Sequence, residues 1–455
     1  MPPAKRPKWP EITWIFSPNK DAPRVLGINP WIYDFAAYNL WSRPVGLLAC
    51  LQMFYQAGTS IGLLDCLERT WDDQSWPKPH PWGKGHFPKQ RLAKPWAYQH
   101  IPRNYSRYGL DYQRVKGCLQ RHAFKPDLIL LTSGMTYWYP GAVAFLELIR
   151  AIWPKVPIVL GGTYASLCFE HARQFDFDLV IQGRLEEPTN WQAVWNLLGE
   201  EPPPLSASSG LGLALQLYPQ PDFAPILGSR GCPFNCDYCA SKLLYPDFKQ
   251  KSLDLVWKEF WSEYEKGVRD FAFYDDALLV APQKWLIPFL RKIKEKQLNV
   301  RLHTPNAMHV RYLNQEICNL FKRAGLTTIR LGLETTDFSS RYDRKLTQEE
   351  WEQGLANLLA AGFKREQIGV YILCGLPGQK DSEVLAAISW VKKYQLKPDL
   401  AYYSPLPGTK MFELAKECSP YPLAEEPLYQ NNSIWPCLPE GFSWEKTVFW
   451  RKALK

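Results

Sequence analysis

Short, wholly apolar, β-forming runs alternate along this chain with stretches of helical periodicity, and that alternation limits the folds open to it. In the first part the runs are RVLGI (24–28), IGLLD (61–65), DLILLTS (127–133), PIVLGG (157–162) and FDLVIQG (177–183), with helices expected near 43–56 and 141–152. Strands apolar on both faces belong in a parallel sheet covered by helices. Residues 23–200 are therefore expected to form an α/β unit, a Rossmann-like doubly wound parallel sheet behind a polar tail at 1–22. Its ligand belongs beyond the C-terminal strand ends.

A Pro- and Gly-rich bridge at 201–222 interrupts the pattern. Beyond it come six further strand-like runs, APILGS, DFAFYDD, NVRLHT, TTIRLGLE, IGVYILCG and DLAYYS, each followed by a helical stretch. Six such units are too many for a simple open sheet and too few for a closed eight-fold barrel. A partial (β/α)6 barrel of the TIM type is expected over 223–411, with its chemistry at the C-terminal strand ends. Residues 412–455 read as an extension.

One connection is far too long for this plan. Residues 70–110 carry many Pro, Trp, Tyr and basic residues, and an excursion of that length is either disordered or functional. Its aromatic content argues for an ordered strap over the domain junction. Residues 1–125 hold 18 Lys and Arg against 8 Asp and Glu, a basic balance that suits a phosphate-bearing ligand or a solvated face. No dense basic run or nucleic-acid motif accompanies it, so nucleic acid is not expected. No apolar run reaches transmembrane length, and eleven scattered cysteines without a secretory signal fit a cytoplasmic protein.

Three of those cysteines stand apart. GCPFNCDYC places Cys232, Cys236 and Cys239 just after the first run of the second array. Three thiolates in a tight loop can hold three irons of a [4Fe–4S] cube and leave the fourth for a non-protein ligand. A zinc site completed by a distant His, and three incidental thiols, are the alternatives.

On this motif the chain resembles the radical S-adenosylmethionine (SAM) superfamily. The resemblance implies that the open iron chelates the amino and carboxylate groups of SAM, and that an electron from the cluster gives a 5′-deoxyadenosyl radical. It places Tyr238 near the adenine. Strand-end matches follow: Asp275 and Asp276 in FYDDAL, for the methionine amine; His303, Asn306 and Arg311 in and after HTPNAMH, for substrate or ribose; Glu334 in RLGLET, with Arg330 or SAM as partner; and Gly375 and Pro377 in CGLPGQ, beside the adenine. Tyr402 and Tyr403 in YSPLPGT are candidate substrate-facing phenols, Tyr403 the catalytic one.

The first array resembles the cobalamin-binding domain of one branch of this superfamily. The resemblance sets Gly161, Gly162 and Thr163 against the nucleotide tail, and Thr132, Ser133, Met135 and Thr136 beside the corrin or its tail. One departure stands out: the loop after the first strand, NPWIYDFAAYNLWSRP, lacks the cobalt-ligating His of mutases. Its aromatics Trp31, Tyr33, Phe35 and Trp41 are candidates to pack on the corrin. Cys418 and Cys437 look too isolated for a second cluster.

The resulting expectation is a cobalamin-dependent methyltransferase acting on an unactivated carbon of a small-molecule, peptide or lipid substrate. A flavodoxin or ferredoxin would supply electrons. A non-methylating radical enzyme is the alternative, in which the first domain binds cobalamin for another role or is a scaffold. A non-catalytic redox sensor is the reading from a different class.

Overall fold

The computed structural model describes residues 11–68, 82–206 and 209–454. The chain divides into two compact units, Met1–Asp222 and Phe223–Lys455. No helix among the described residues is long and apolar enough to cross a membrane.

The first unit is built on a six-stranded sheet of β1 (Thr13–Ile15), β2 (Arg24–Asn29), β3 (Ser60–Asp65), β4 (Leu128–Ser133), β5 (Ile158–Gly162) and β6 (Leu179–Val180). Its spatial order is β1-β3-β2-β4-β5-β6. The edge strand β1 runs antiparallel and the other five are parallel. Among those five, the second strand lies outside the first and the rest follow in sequence, which is the flavodoxin-like doubly wound order. Its switch point lies between β2 and β4. Every residue of β3 is buried, as helices on both faces require. On one face Leu26, Ile28, Ile129, Leu131, Ile158 and Leu160 share a core with Phe145 and Ile149 of helix Tyr139–Ile152.

The long connection is ordered over its described part, whereas 70–81 lies outside the described residues. Ile32–Asp34 pairs antiparallel with Tyr105–Tyr108, which pairs with Lys89–Leu92, and Tyr38–Asn39 pairs with Gly85–His86. The loop after β2, where mutases carry their cobalt ligand, is thus bound into small sheets by the strap. Trp31 is core rather than ligand surface: it is 1% exposed, stacks on Phe145 at 4.3 Å and donates from Nε1 to the Leu110 carbonyl at 2.7 Å. Phe35 and Trp41 are buried too.

The second unit holds β7 (Ala224–Ile226), β8 (Asp270–Phe273), β9 (Arg301–His303), β10 (Leu326–Glu334), β11 (Ile368–Cys374) and β12 (Lys397–Tyr402). They form one parallel sheet in sequence order, with β7 and β12 at its open edges. Side chains alternate across a strand. Ile329, Leu331 and Leu333 of β10, with Ile368, Val370 and Ile372 of β11, lie in the helix-side core. Arg330 and Gly332, with Gly369 and Tyr371, therefore face the other way. The helices are started by local signals: Ser252, Asn314 and Thr347 each accept from a backbone N–H of the first turn, and Thr347 forms a capping box with Glu350. Tyr402 stacks on Trp435 and lies near Trp450, so the C-terminal extension closes the helix side of β12.

Away from the helices the sheet buries charge in pairs. Arg330 meets Asp399 at 3.2 Å and lies over the Tyr371 ring. The pair fits because residue 369 has no side chain: a Cβ there would stand 2.0 Å from the Arg330 guanidinium and 2.7 Å from the Asp399 carboxylate. Gly369→Ala is expected to cost about 1–3 kcal/mol through overpacking. A lower denaturant midpoint at unchanged slope is the expected result, and an unchanged midpoint would show that Arg330 moves aside freely.

Candidate functional site

The three-cysteine loop leaves the sheet just past β7. Ser229–Arg230 pairs antiparallel with Lys249–Gln250 and closes the loop at its base. Gly231 sits at φ +77, and a Cβ there would meet the Asp247 carbonyl at 2.6 Å, so the turn into Cys232 needs glycine. Farther on, the Asp237 N–H donates to the Tyr342 carbonyl at 3.1 Å and the Asp237 carbonyl accepts from the Met411 N–H at 2.9 Å. The Cys239 N–H donates to the Cys236 carbonyl at 3.1 Å.

The cysteine thiols are half-buried and free; Cys236 feels both of the others, and Cys232 feels Cys239. Burial pushes the Cys236 thiol up to about 12 and raises Cys232, with Lys345 working in the opposite direction at both. Such thiols ionise when a cation replaces their proton, as iron does. The donor set and its loop fit a cluster held at three corners.

Lys345, which the sequence reading missed, organises the polar groups around this loop. Its Nζ donates to the Tyr238 phenol at 3.2 Å and lies 3.7 Å from Asp343 and 3.8 Å from Glu334. Burial opposes its charge, but Glu334, Cys236 and Asp343 outweigh burial and its pKa stands above the usual range. Tyr238 also donates to Asp343 at 3.3 Å, and Asp343 is gripped by two 2.8 Å bonds from Arg341. Glu334 ends β10 at φ +63, beside a register shift against β11. Burial raises its pKa and Lys345 only partly offsets that. Arg330, the partner suggested from sequence, faces Asp399 instead. No local pattern marks Lys345; only the fold brings residue 345 to residue 238.

His309 was also missed as a site residue. It is 8% exposed, its ring lies 4.7 Å from Phe234 of the cysteine loop, and its Nδ1 is buried without a hydrogen-bond partner. Burial, with help from Lys345, holds its pKa down to about 3, so it is neutral.

The other candidates separate. Asp276 is exposed, bonds with Ser241 and stands within electrostatic reach of Cys232. Its neighbour Asp275 is buried and turned toward the chain, accepting from the Gly228 N–H at 3.2 Å and the Ser229 hydroxyl at 2.5 Å. Asn306 is exposed and donates to the Tyr274 carbonyl at 3.0 Å. His303 has both ring nitrogens engaged, Nδ1 with Thr328 at 2.8 Å and Nε2 with Asp270 at 3.1 Å, leaving neither for a cofactor. Arg311 is committed to Glu350. Gly375 is buried, yet a Cβ placed on it would touch nothing within 4 Å, so a space lies open at the end of β11, with Pro377 half-buried after it. Tyr403 is 4% exposed and set against Cys418, Cys437 and Thr409, away from the cysteine loop's network.

In the first unit the candidates gather on two adjacent strand ends, where Thr132 pairs with Gly161 and Ser133 with Gly162. A Cβ on Gly161 would meet nothing within 4 Å, whereas Gly162 at φ +94 packs on Thr132 and Ser133. Ser133 donates to the Met135 carbonyl at 2.9 Å, and the buried Thr136 hydroxyl has no partner. Thr163 opens helix Thr163–Leu167. This open ledge, with one orphaned hydroxyl beside it, fits the tail of a ligand lying across the strand ends.

Burial raises the Asp275 pKa from 3.8 to about 6. The folded protein then holds a proton that the unfolded chain releases, so stability falls as pH rises from about 4 to about 6 and is flat above. The drop is on the order of 2–3 kcal/mol. In Asp275→Asn this slope is expected to vanish from unfolding free energies measured across that range; an unaltered slope would assign it elsewhere.

Residues 226–391 match the model of the radical SAM superfamily. The chain is 22% identical over 329 residues to an uncharacterized methyltransferase of Pyrococcus horikoshii, covering 64% of this chain and 70% of that protein. It is 23% identical over 285 residues to the bacteriochlorophyllide d C-12(1)-methyltransferase of Chlorobaculum tepidum, covering 57% of this chain and 60% of that protein. Among solved structures, the radical SAM methyltransferase TsrM of Kitasatospora setae, with tryptophan substrate and a SAM analog bound, matches with a TM-score of 0.62 at 16% identity. That match covers 87% of this chain and 76% of TsrM. A second TsrM structure, with cobalamin and a [4Fe–4S] cluster bound, matches with a TM-score of 0.61. The strand-end loop of Cys232, Cys236 and Cys239 thus lies within residues 226–391, the part of the chain that matches the radical SAM superfamily.

Proposed function

We propose that this chain is a cobalamin-dependent radical SAM methyltransferase, acting on an unactivated carbon of a small-molecule, peptide or lipid substrate. The observation that carries the reading is the pairing, in one chain, of a radical SAM domain with a flavodoxin-like unit whose β4 and β5 ends leave an open glycine ledge. When bound, the cluster supplies the electron that cleaves the sulfonium of SAM, and cobalamin carries the methyl group.

The protein's own part is to bind and orient. Cys232, Cys236 and Cys239 hold the cluster at three corners. Asp276, open beside Cys232, receives the amine of SAM, and Glu334 receives its amine or ribose hydroxyls. The space at Gly375 admits the adenine edge, with Pro377 beside it. Lys345 favours the charged forms of Glu334 and Asp343 and fixes the Tyr238 phenol, so these groups need not reorganise when the cofactor arrives. Thr132, Ser133, Met135, Gly161, Gly162 and Thr163 hold the cobalamin tail. The loop after β2 is bound into the strap and carries no His, so it would offer a bound cobalamin no imidazole. A flavodoxin or ferredoxin in the cytoplasm supplies the electron.

Anaerobic purification from cobalamin-fed cells, cluster reconstitution and metal analysis test the reading. Stoichiometric cobalt beside about four irons, and transfer of a deuterated methyl group from SAM to a product, are expected. Iron without cobalt would favour the non-methylating radical enzyme with the first unit as scaffold.

Lys345→Met removes the cation shared by two buried carboxylates and the cluster loop. Release of 5′-deoxyadenosine is expected to fall about tenfold or more, with iron content retained and Lys345→Arg recovering part of the rate. Wild-type rates in Lys345→Met would remove Lys345 from the site.

A further inference from the structure

Cys418 and Cys437 lie nineteen positions apart, which is read directly from their numbering, and the fold brings them together. Cys418 ends the helix Lys410–Cys418. Its Sγ donates to the Cys437 carbonyl at 3.7 Å, and each thiol lies within electrostatic reach of the other. The surrounding backbone is held in register: Ser419 Oγ donates to the Pro436 carbonyl at 2.6 Å, and the Leu438 N–H to the Trp435 carbonyl at 3.1 Å. Cys437 is 1% exposed, whereas Cys418 is half-buried. Gly378 stands close enough to lower the Cys418 pKa through its backbone N–H, and the buried Tyr403 phenol lies within electrostatic reach of both thiols.

We propose that Cys418 and Cys437 form a reversible dithiol–disulfide couple that locks the end of helix Lys410–Cys418 to the Trp435–Leu438 turn and acts on the loop after β11 through Gly378. Neither residue belongs to the cysteine loop, and the couple does not depend on the proposed methyl transfer. The oxidant is a low-molecular-weight disulfide. Half-buried Cys418, once deprotonated, attacks one of the oxidant's sulfurs, forming a mixed disulfide and expelling one thiolate. The Cys437 thiolate then attacks the Cys418 sulfur and expels the second. The two protein thiols lose two electrons and two protons in all, and the oxidant is reduced to two thiols. Bond formation brings the two sulfurs to about 2.0 Å, which draws the Cys418 sulfur from Gly378.

The test equilibrates the reconstituted full chain anaerobically with mixtures of reduced and oxidised glutathione, alkylates free thiols and maps tryptic peptides by mass. Both cysteines fall in peptide Glu417–Lys446. As the oxidised fraction rises, this peptide is expected to pass in one step from doubly alkylated to unalkylated and two hydrogens lighter. Cys437→Ser should stop at a glutathione adduct on Cys418. Amide exchange at Gly378 is expected to become at least threefold faster in the oxidised wild-type chain. Full alkylation of both thiols at every ratio, or two independent glutathione adducts, would overturn the couple. Unchanged exchange at Gly378 would overturn its action on the loop.

Discussion

A parallel sheet sealed by helices leaves polar chemistry one place to go, the ends of its strands. Both units are built on this constraint. In the second unit, Ile329, Leu331 and Leu333 commit alternate positions of β10 to the core, and Glu334, one residue on, breaks out of the regular backbone at φ +63. The cysteine loop leaves just past β7, and Gly375 opens a space just past β11. In the first unit the glycine ledge is the end of β5, paired with the end of β4.

Concentrating acidic groups at strand ends creates an electrostatic problem that Lys345 and Arg341 resolve. Glu334, Asp343 and the thiols of the cysteine loop are all withdrawn from water, where an unpaired charge is costly. Arg341 grips Asp343 with two short bonds. Lys345 stands near Glu334, Asp343 and Tyr238 and lowers the pKa of Cys232 and Cys236. One flexible ammonium serving several acceptors suits a site that must also receive a charged cofactor, because its partners are held in place beforehand.

Much of the fold was legible because its strands are apolar on both faces. All five parallel strands of the first sheet and all six of the second lie where their apolar runs predicted, in the expected class. The edge strand β1 and the small sheets of the strap were not legible: they are short, polar and stabilised by partners distant in sequence. Among the candidate residues, the cysteines and Glu334 announced themselves by motif. His303 looked the same in sequence whether it faced a ligand or, as the structure has it, Thr328 and Asp270. Tyr402 and Tyr403 were adjacent phenols; one stacks on Trp435 and the other is buried beside Cys418 and Cys437.

By itself the sequence determined the parallel α/β plan, the position of the cysteine loop at a strand end and the missing histidine after β2, since apolar periodicity and short-range spacing are local properties. Only the tertiary structure decided that Lys345 meets Tyr238, that Trp31 is core, and that Cys418 touches Cys437. Those contacts join residues far apart along the chain, and whether such groups meet depends on how loops of no fixed periodicity return to the same strand ends.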